Sequence, residues 1–153
     1  MPRTKFNTSK DSASRTHNDI VFDSAMEMKY YRDVILPLAE SGEIVQYELQ
    51  KSYTLQPKFI RDNKTVQAIT YIADFFIRYK NGEEVVIDIK GCPDSISKLK
   101  RKMFWCKYPE IDYRWICLSI IDGGWLDYSY VDKQRKQRKR NKQNKTGDTA
   151  GMN

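Results

Sequence analysis

The stretch YIADFFIRYKNGEEVVIDIKG, residues 71 to 91, constrains the fold of this chain more than any other. Two runs rich in β-branched and aromatic residues flank Lys80-Asn81-Gly82, which reads as a β-hairpin. Both runs carry acids in their interiors, so the register must place those acids without burying an unpaired charge. A two-residue Asn-Gly loop sets Lys80 against Glu83 and Asp74 against Ile89. One of Asp74 and Asp88 would then be driven among Tyr71, Phe75, Ile77, Val85, Ile87 and Ile89, at a cost of about several kcal/mol. A three-residue Lys-Asn-Gly loop with Gly82 left-handed instead sets Arg78 against Glu84, Phe76 against Val86 and Asp74 against Asp88. One face becomes wholly apolar, and the other carries Asp74, Asp88 and, two residues on, Lys90. The three-residue loop is the expected one.

That register brings two carboxylates together across neighbouring strands, where directly opposed like charges are destabilising. A hard divalent cation resolves the conflict, because Mg²⁺ takes a few carboxylate oxygens and keeps waters for chemistry. Lys90 is then placed to orient such a water or to stabilise charge developing on a phosphoryl oxygen. The competing reading is a solvated surface cluster of two aspartates and a lysine.

The rest of the chain supplies a frame. FDSAMEMKYYRDVILPLAESGEI predicts a helix from about Ser24 to Ser41, with Met26, Tyr30, Val34 and Leu38 as a buried stripe and Ile35 beside it. Ser24 and Glu27 fit a capping box, and Pro37 should kink the last turn. A strand follows over residues 44 to 56, with a break near Lys51-Ser52, then a turn at RDNK, residues 61 to 64. A second helix opens at Pro93-Asp94-Ser95, turns Ile96, Leu99, Met103 and Phe104 inward, and ends at Pro109. DYRWICLSII, residues 112 to 121, predicts a strand buried on both faces. After the DGG turn, Trp125, Tyr128 and Val131 anchor a last helix that runs into a basic tail. Helix, three strands, helix and strand in that order predict an α/β fold, a mixed twisted sheet with helices on its faces.

With 153 residues the chain has room for one domain with a real core. Residues 1 to 19 read as a flexible arm containing a solvated His17, residues 20 to 121 as the domain, and residues 122 to 153 as its C-terminal helix and tail. The net charge of +7 is local. Residues 132 to 145 hold eight of the 27 Lys and Arg and one of the 20 acids, which leaves 19 of each elsewhere. So dense a basic run binds polyanions through counterion release, or else solubilises a disordered end. Three cysteines without a CxxC pair argue against structural zinc and a disulfide framework, and for reduced thiols in a cytosolic setting. No apolar run approaches the roughly 20 residues of a membrane span.

Glu27, Asp74 and Asp88-Ile89-Lys90, taken with the element order, resemble the PD-(D/E)XK nuclease superfamily, whose fold is restriction-endonuclease-like with an αβββαβ core. The blocks FDSAMEMKYYRDV, SGEI, LQPKF, AITYIADF and IDIKG look like an uncharacterised phage family of that group. The likeness covers about residues 20 to 120. It implies a metal-dependent endodeoxyribonuclease with Mg²⁺ or Mn²⁺ held by Asp74, Asp88, the Ile89 carbonyl and Glu27, and with Lys90 as catalytic lysine. Ala73 stands where the family name has Pro, and Asp88 replaces the more usual Glu, which shortens its reach by one methylene.

Gln56 is a candidate polar helper. Lys98, Arg101 and Lys102 on the second helix, and Lys133, Arg135, Lys136, Arg138, Lys139 and Arg140 in the tail, are candidate DNA contacts. Trp105 and Tyr108 are candidates to stack on bases. The expected substrate is branched or structured phage recombination DNA, read by shape and cut by a homodimer in the bacterial host cytoplasm. The rivals are a non-catalytic DNA-binding or assembly protein on the same scaffold, and a subunit that cuts only within a larger complex.

Overall fold

The computed structural model describes residues 11 to 149, with side chains through residue 145. The fold is α/β, with a five-stranded mixed sheet in the strand order β3-β6-β7-β8-β9. Its strands are β3 (Ile44–Gln56), β6 (Ile69–Tyr79), β7 (Glu84–Ile89), β8 (Asp112–Ser119) and β9 (Gly124–Asp127). Two short ribbons stand beside it, β1 (Thr16–His17) with β2 (Ile20–Val21), and β4 (Phe59–Arg61) with β5 (Lys64–Val66). The chain divides into two compact units, one of residues up to 89 with 93–114, the other of residues 90–92 with those from 115 on.

In the first unit the hairpin adopts the three-residue loop. Arg78 pairs with Glu84, Ile77 with Val85, Phe76 with Val86 and Phe75 with Ile87. The Tyr79 N–H donates to the Glu83 carbonyl at 2.9 Å, and Gly82 closes the loop at φ +87°. An L side chain is strained at that φ, which is why glycine stands there.

Helix α1 (Ala25–Tyr30) runs through a π-turn (Tyr31–Ile35) into α2 (Leu36–Glu40). Pro37 has no N–H to give the preceding turn, and the helix widens there. The wider turn shifts the helical phase. Tyr30 and Ile35 are buried as expected, joined by Met28 and Tyr31, while Met26, expected inside, is 40% exposed. Helix α3 (Ser95–Lys107) is capped by Asp94, whose carboxylate accepts from the Ser97 N–H at 2.7 Å. Phe104 is fully buried, but Ile96 and Leu99, also expected inside, lie open at 62% and 57% exposure.

The two helices cover opposite faces of the sheet. Tyr30 of α1 packs on Phe75, with ring centroids 5.4 Å apart. Phe76, the next residue, faces the other way. The Lys51 ammonium sits 3.8 Å over the Phe76 ring and 5.7 Å over that of Tyr53, and Tyr53 stacks on Tyr71 and meets Phe104 of α3. Tyr71 therefore shares a face with Phe76, five residues away, which strict alternation forbids. The alternation reverses between them. Facing that point on β3 is Gln50, at φ +54°, skipped by a register that otherwise pairs Leu49 with Phe75 and Lys51 with Ala73. The expectation that Tyr71 and Phe75 share one apolar face is corrected by this reversal.

Two further segments differ from the sequence reading. His17, read as part of a flexible arm, lies in β1 with its ring edge-on to Tyr31 at 6.2 Å, and residues 1 to 10 of that arm lie outside the described residues. Residues 61 to 64, read as a turn, do form one, with both central φ positive at Asp62-Asn63, but the β4–β5 ribbon that it closes was not read from the sequence.

In the second unit the Lys90 N–H donates to the Ile116 carbonyl at 2.8 Å, and β9 pairs with β8 from Ile116↔Asp127 to Ser119↔Gly124. The strand stops at Ser119, and Ile120 and Ile121, expected within it, lie exposed in a 3-10 turn. Helix α4 (Tyr128–Thr149) carries the basic run and is seated by Val131, which is fully buried. Arg135 donates to the Gly91 carbonyl at 3.1 Å and to Cys117 Sγ at 3.4 Å. Arg138 forks onto Asp122 at 2.6 and 3.0 Å and holds that carboxyl below the usual carboxylate range.

Replacing Gly82 by Ala places a Cβ in open space, so the cost is backbone strain alone. The expected destabilisation is about 1–2 kcal/mol in urea unfolding.

Candidate acidic site

Beyond Phe75↔Ile87 the regular ladder between β6 and β7 stops, one pair short of Asp74 and Asp88. The two side chains take over its hydrogen bonds. Asp88 Oδ1 accepts the Asp74 N–H at 3.2 Å, and Asp74 Oδ2 accepts the Ile89 N–H at 2.9 Å. Each aspartate thus binds the backbone of the opposite strand just beyond the end of the regular ladder. The reversal at Gln50 falls at the same level of the sheet.

Asp88 is 3% exposed. The Tyr71 hydroxyl donates to its Oδ1 at 2.6 Å and the Tyr113 hydroxyl to its Oδ2 at 2.9 Å. Around these groups Phe104, Tyr71, Tyr113 and Tyr53 form an aromatic cluster with centroids 5.0 to 6.2 Å apart. A carboxylate tolerates such a site only when charge-assisted hydrogen bonds satisfy it. Burial pushes the Tyr71 hydroxyl far above the ordinary tyrosine range, and the charge of Asp88 pushes it further, so it remains a donor. Burial, then the charges of Glu84 and Glu48, push Tyr53 up to about 12. Asp74 is half-buried.

Glu27 is buried in the first turn of α1, where it completes the capping box. The Ser24 hydroxyl donates to its Oε1 at 3.0 Å, and its own N–H donates to Ser24 Oγ at 3.1 Å. Among the described residues no three His, Cys, Asp or Glu side chains form a cage for an ion, so Glu27 is not brought into one with the aspartates. Gln56 pairs with Ile69 at the end of β3, about 17 Å along the strand from Asp74. The β3 residue at the level of Asp74 is Gln50, for which the sequence carried no signal.

The hydroxyls of Tyr71 and Tyr113 were missed as well. An acid expected in a strand that is otherwise apolar calls for nearby donors, and aromatic residues that carry a hydroxyl were the available ones. Of the candidate DNA contacts on α3, Lys98 and Lys102 are exposed, and Arg101 lies over the Trp105 ring at 4.7 Å. Tyr108, expected to stack on bases, instead donates to the Thr54 carbonyl at 3.0 Å and packs against Tyr53 and Phe104. On α4, Lys133, Lys136, Lys139 and Arg140 are exposed, whereas Arg135 and Arg138 are engaged within the fold.

The donors that Asp74 and Asp88 offer are carboxylate oxygens, the chemistry that a hard cation such as Mg²⁺ or Mn²⁺ prefers and a thiolate–imidazole zinc cage does not use. A family model described as a protein of unknown function (DUF1064) matches residues 3–122, most of the chain and all of this site. The chain belongs to the DUF1064 family. No curated protein and no solved structure matches it. Within this DUF1064 protein both aspartates lie in the matched region, and the whole of the basic helix lies beyond it.

Removing the Tyr71 hydroxyl in Tyr71→Phe leaves Asp88 short of one donor, with an expected loss of about 1–3 kcal/mol in chemical denaturation. High pH should act on the same cluster. Tyr53 titrates in the fold near 12, against about 10 for an ordinary tyrosine, so its contribution is whole below pH ~10 and is lost as pH rises toward 12. Thermal melts of Tyr53→Phe should therefore fall less between pH 10 and 12 than those of the parent.

Proposed function

We propose that the protein is a metal-dependent endodeoxyribonuclease of the restriction-endonuclease-like fold, acting on branched or structured DNA. The observation that carries this reading is that Asp74 and Asp88, on adjacent strands, each bind the backbone of the other strand beyond the last regular ladder pair. Lys90 follows Asp88 two residues on in the sequence, and the resemblance to the nuclease superfamily supports giving it a role in this reading. Asp74, Asp88 and the Ile89 carbonyl hold Mg²⁺ or Mn²⁺ in this reading. When bound, the ion stabilises charge on the phosphoryl group and activates a water for in-line attack.

The chain's own residues account for the remaining tasks. The Asp74 and Ile89 N–H groups fix the two carboxylates on opposite strands. Tyr71 and Tyr113 orient Asp88 through their hydroxyl hydrogen bonds. Lys90 orients the attacking water or stabilises the charge that develops on phosphorus. Exposed Lys98 and Lys102 on α3, and Lys133, Lys139 and Arg140 on α4, contact phosphates and position the duplex without reading sequence. Cutting two opposed strands calls for a homodimer, and the host cytoplasm is the compartment in which a phage enzyme would meet its DNA.

A second reading is favoured by the surroundings of Asp88. A buried carboxylate with two hydroxyl donors and a backbone N–H is already satisfied as a structural group. On that reading the scaffold binds DNA, or assembles with other proteins, without cutting.

A cleavage panel separates the two. Linear, nicked, single-stranded and four-way DNA are each incubated with Mg²⁺, Mn²⁺ or EDTA. A nuclease cuts at least one of these in a metal-dependent way, and Asp74→Asn lowers the rate by about 100-fold or more while DNA affinity holds. Binding with no cleavage of any substrate by the parent supports the second reading. Cleavage that persists unchanged in Asp74→Asn defeats the assignment of the site.

A further inference from the structure

The β4–β5 ribbon is a two-stranded arm whose six strand residues are all exposed, Ile60 by 75% and Phe59 by 44%. Its register pairs Phe59 with Val66, Ile60 with Thr65 and Arg61 with Lys64. The left-handed turn at Asp62-Asn63 matches the twist of such a ribbon and ends it sharply. An isolated two-stranded hairpin is marginal in water, so a ribbon kept clear of the sheet has its use in contact with something else.

Its charge says what. Arg61 and Lys64 are directly opposed next to the turn, with Cβ atoms about 5 Å apart, a like-charge pair that destabilises the ribbon. Asp62 lies 3.7 Å from Arg61, but both side chains are more than three-quarters exposed, and such a pair offsets little of the repulsion. With Lys58 just before β4, residues 57 to 68 carry three cations and one acid. An anion spanning two sites next to the turn relieves the conflict, and successive phosphates supply that anion.

Position points the same way. The ribbon connects the end of β3 at Gln56 to the start of β6 at Ile69, and Asp74 lies five residues into β6. That distance along the strand is about 17 Å, close to five base-pair steps of duplex. A DNA major groove, about 12 Å wide, admits a two-stranded ribbon.

We propose that the β4–β5 ribbon is a duplex-contacting arm. Arg61 and Lys64 bind phosphates, and the opposite face, with Ile60 and Thr65, lies toward the groove. This rests on DNA being the substrate of the proposed function, but not on cleavage. The occupant argued against is a second copy of this chain, seated on Phe59, Ile60 and Val66.

The test is fluorescence anisotropy with labelled duplex and four-way DNA in EDTA, from 50 to 200 mM salt. The full chain is compared with Arg61→Ala/Lys64→Ala and with Arg61→Lys, and circular dichroism checks that each is folded. The double variant should bind roughly tenfold more weakly, with the log–log salt slope reduced by about 2, and Arg61→Lys should keep most of that slope. Unchanged affinity and slope overturn the arm, as does a parent that binds no DNA. Loss of self-association in sedimentation with DNA affinity intact overturns it in favour of the second copy. Cleavage assays keep the two proposals apart. A parent that cuts with an indifferent ribbon sinks the arm alone, and a ribbon-dependent binder that never cuts sinks the nuclease alone.

Discussion

Two aspartates stand in for ladder hydrogen bonds at the centre of the sheet, and the surrounding structure follows from satisfying them. A strand pair loses cohesion where its backbone groups part, and an acid in a sheet interior costs about several kcal/mol unless it is bonded. Here each of these deficits meets the other. The Asp74 N–H needs an acceptor and finds Asp88, and the Ile89 N–H finds Asp74. What is left of the Asp88 charge is met by Tyr71 and Tyr113, which Phe104 and Tyr53 hold in place through ring contacts. Helix α3 therefore serves as the wall that keeps two hydroxyl donors aimed at one carboxylate.

The reversal of side-chain alternation belongs to the same solution. Were β6 a regular strand, Tyr71 would share a face with Phe75 and lie across the sheet from Asp88. Gln50 at φ +54° marks the level at which the pattern turns over, and it carries Tyr53 and Tyr71 to the α3 side. A non-glycine residue in that conformation costs about 1–2 kcal/mol. The fold retains it because the alternative strands a buried carboxylate without its phenolic donors, a larger loss.

The hairpin register was legible because one loop length separated a wholly apolar face from a buried acid, and Gly82 occupied the one position that required a left-handed residue. The sequence showed an irregularity next to this point, as the expected break near Lys51-Ser52, but not the reversal itself, since glutamine at a strand centre carries no mark of a positive φ. Apolar periodicity found α3 but misjudged Ile96 and Leu99, because a stripe states that a helix has a face and not that something covers it. In α1 the same stripe placed Tyr30 correctly but not Met26, one turn earlier, and a fixed 3.6-residue period could not anticipate the widened turn at Tyr31–Ile35 before Pro37. The capping box of Ser24 and Glu27 needed only local spacing, and it stands as read.

Charge density was the bluntest guide. Eight cations in residues 132 to 145 read as one polyanion surface, yet they divide by helical phase. Arg135 and Arg138 fall four and seven residues after the buried Val131, on the same face, and they hold α4 through Gly91, Cys117 and Asp122. Lys133, Lys136 and Arg140 fall on the opposite side. The folded unit has thus spent two of its cations on fixing the orientation of the rest, so the outward face is a directed basic surface rather than a loose tail. A helix oriented in this way loses less conformational freedom on meeting phosphates than a disordered segment of the same composition. The two aspartates are likewise held from several sides, Asp88 by two hydroxyls and a backbone N–H and Asp74 by the Ile89 N–H, which is what distinguishes them from a solvated acidic patch.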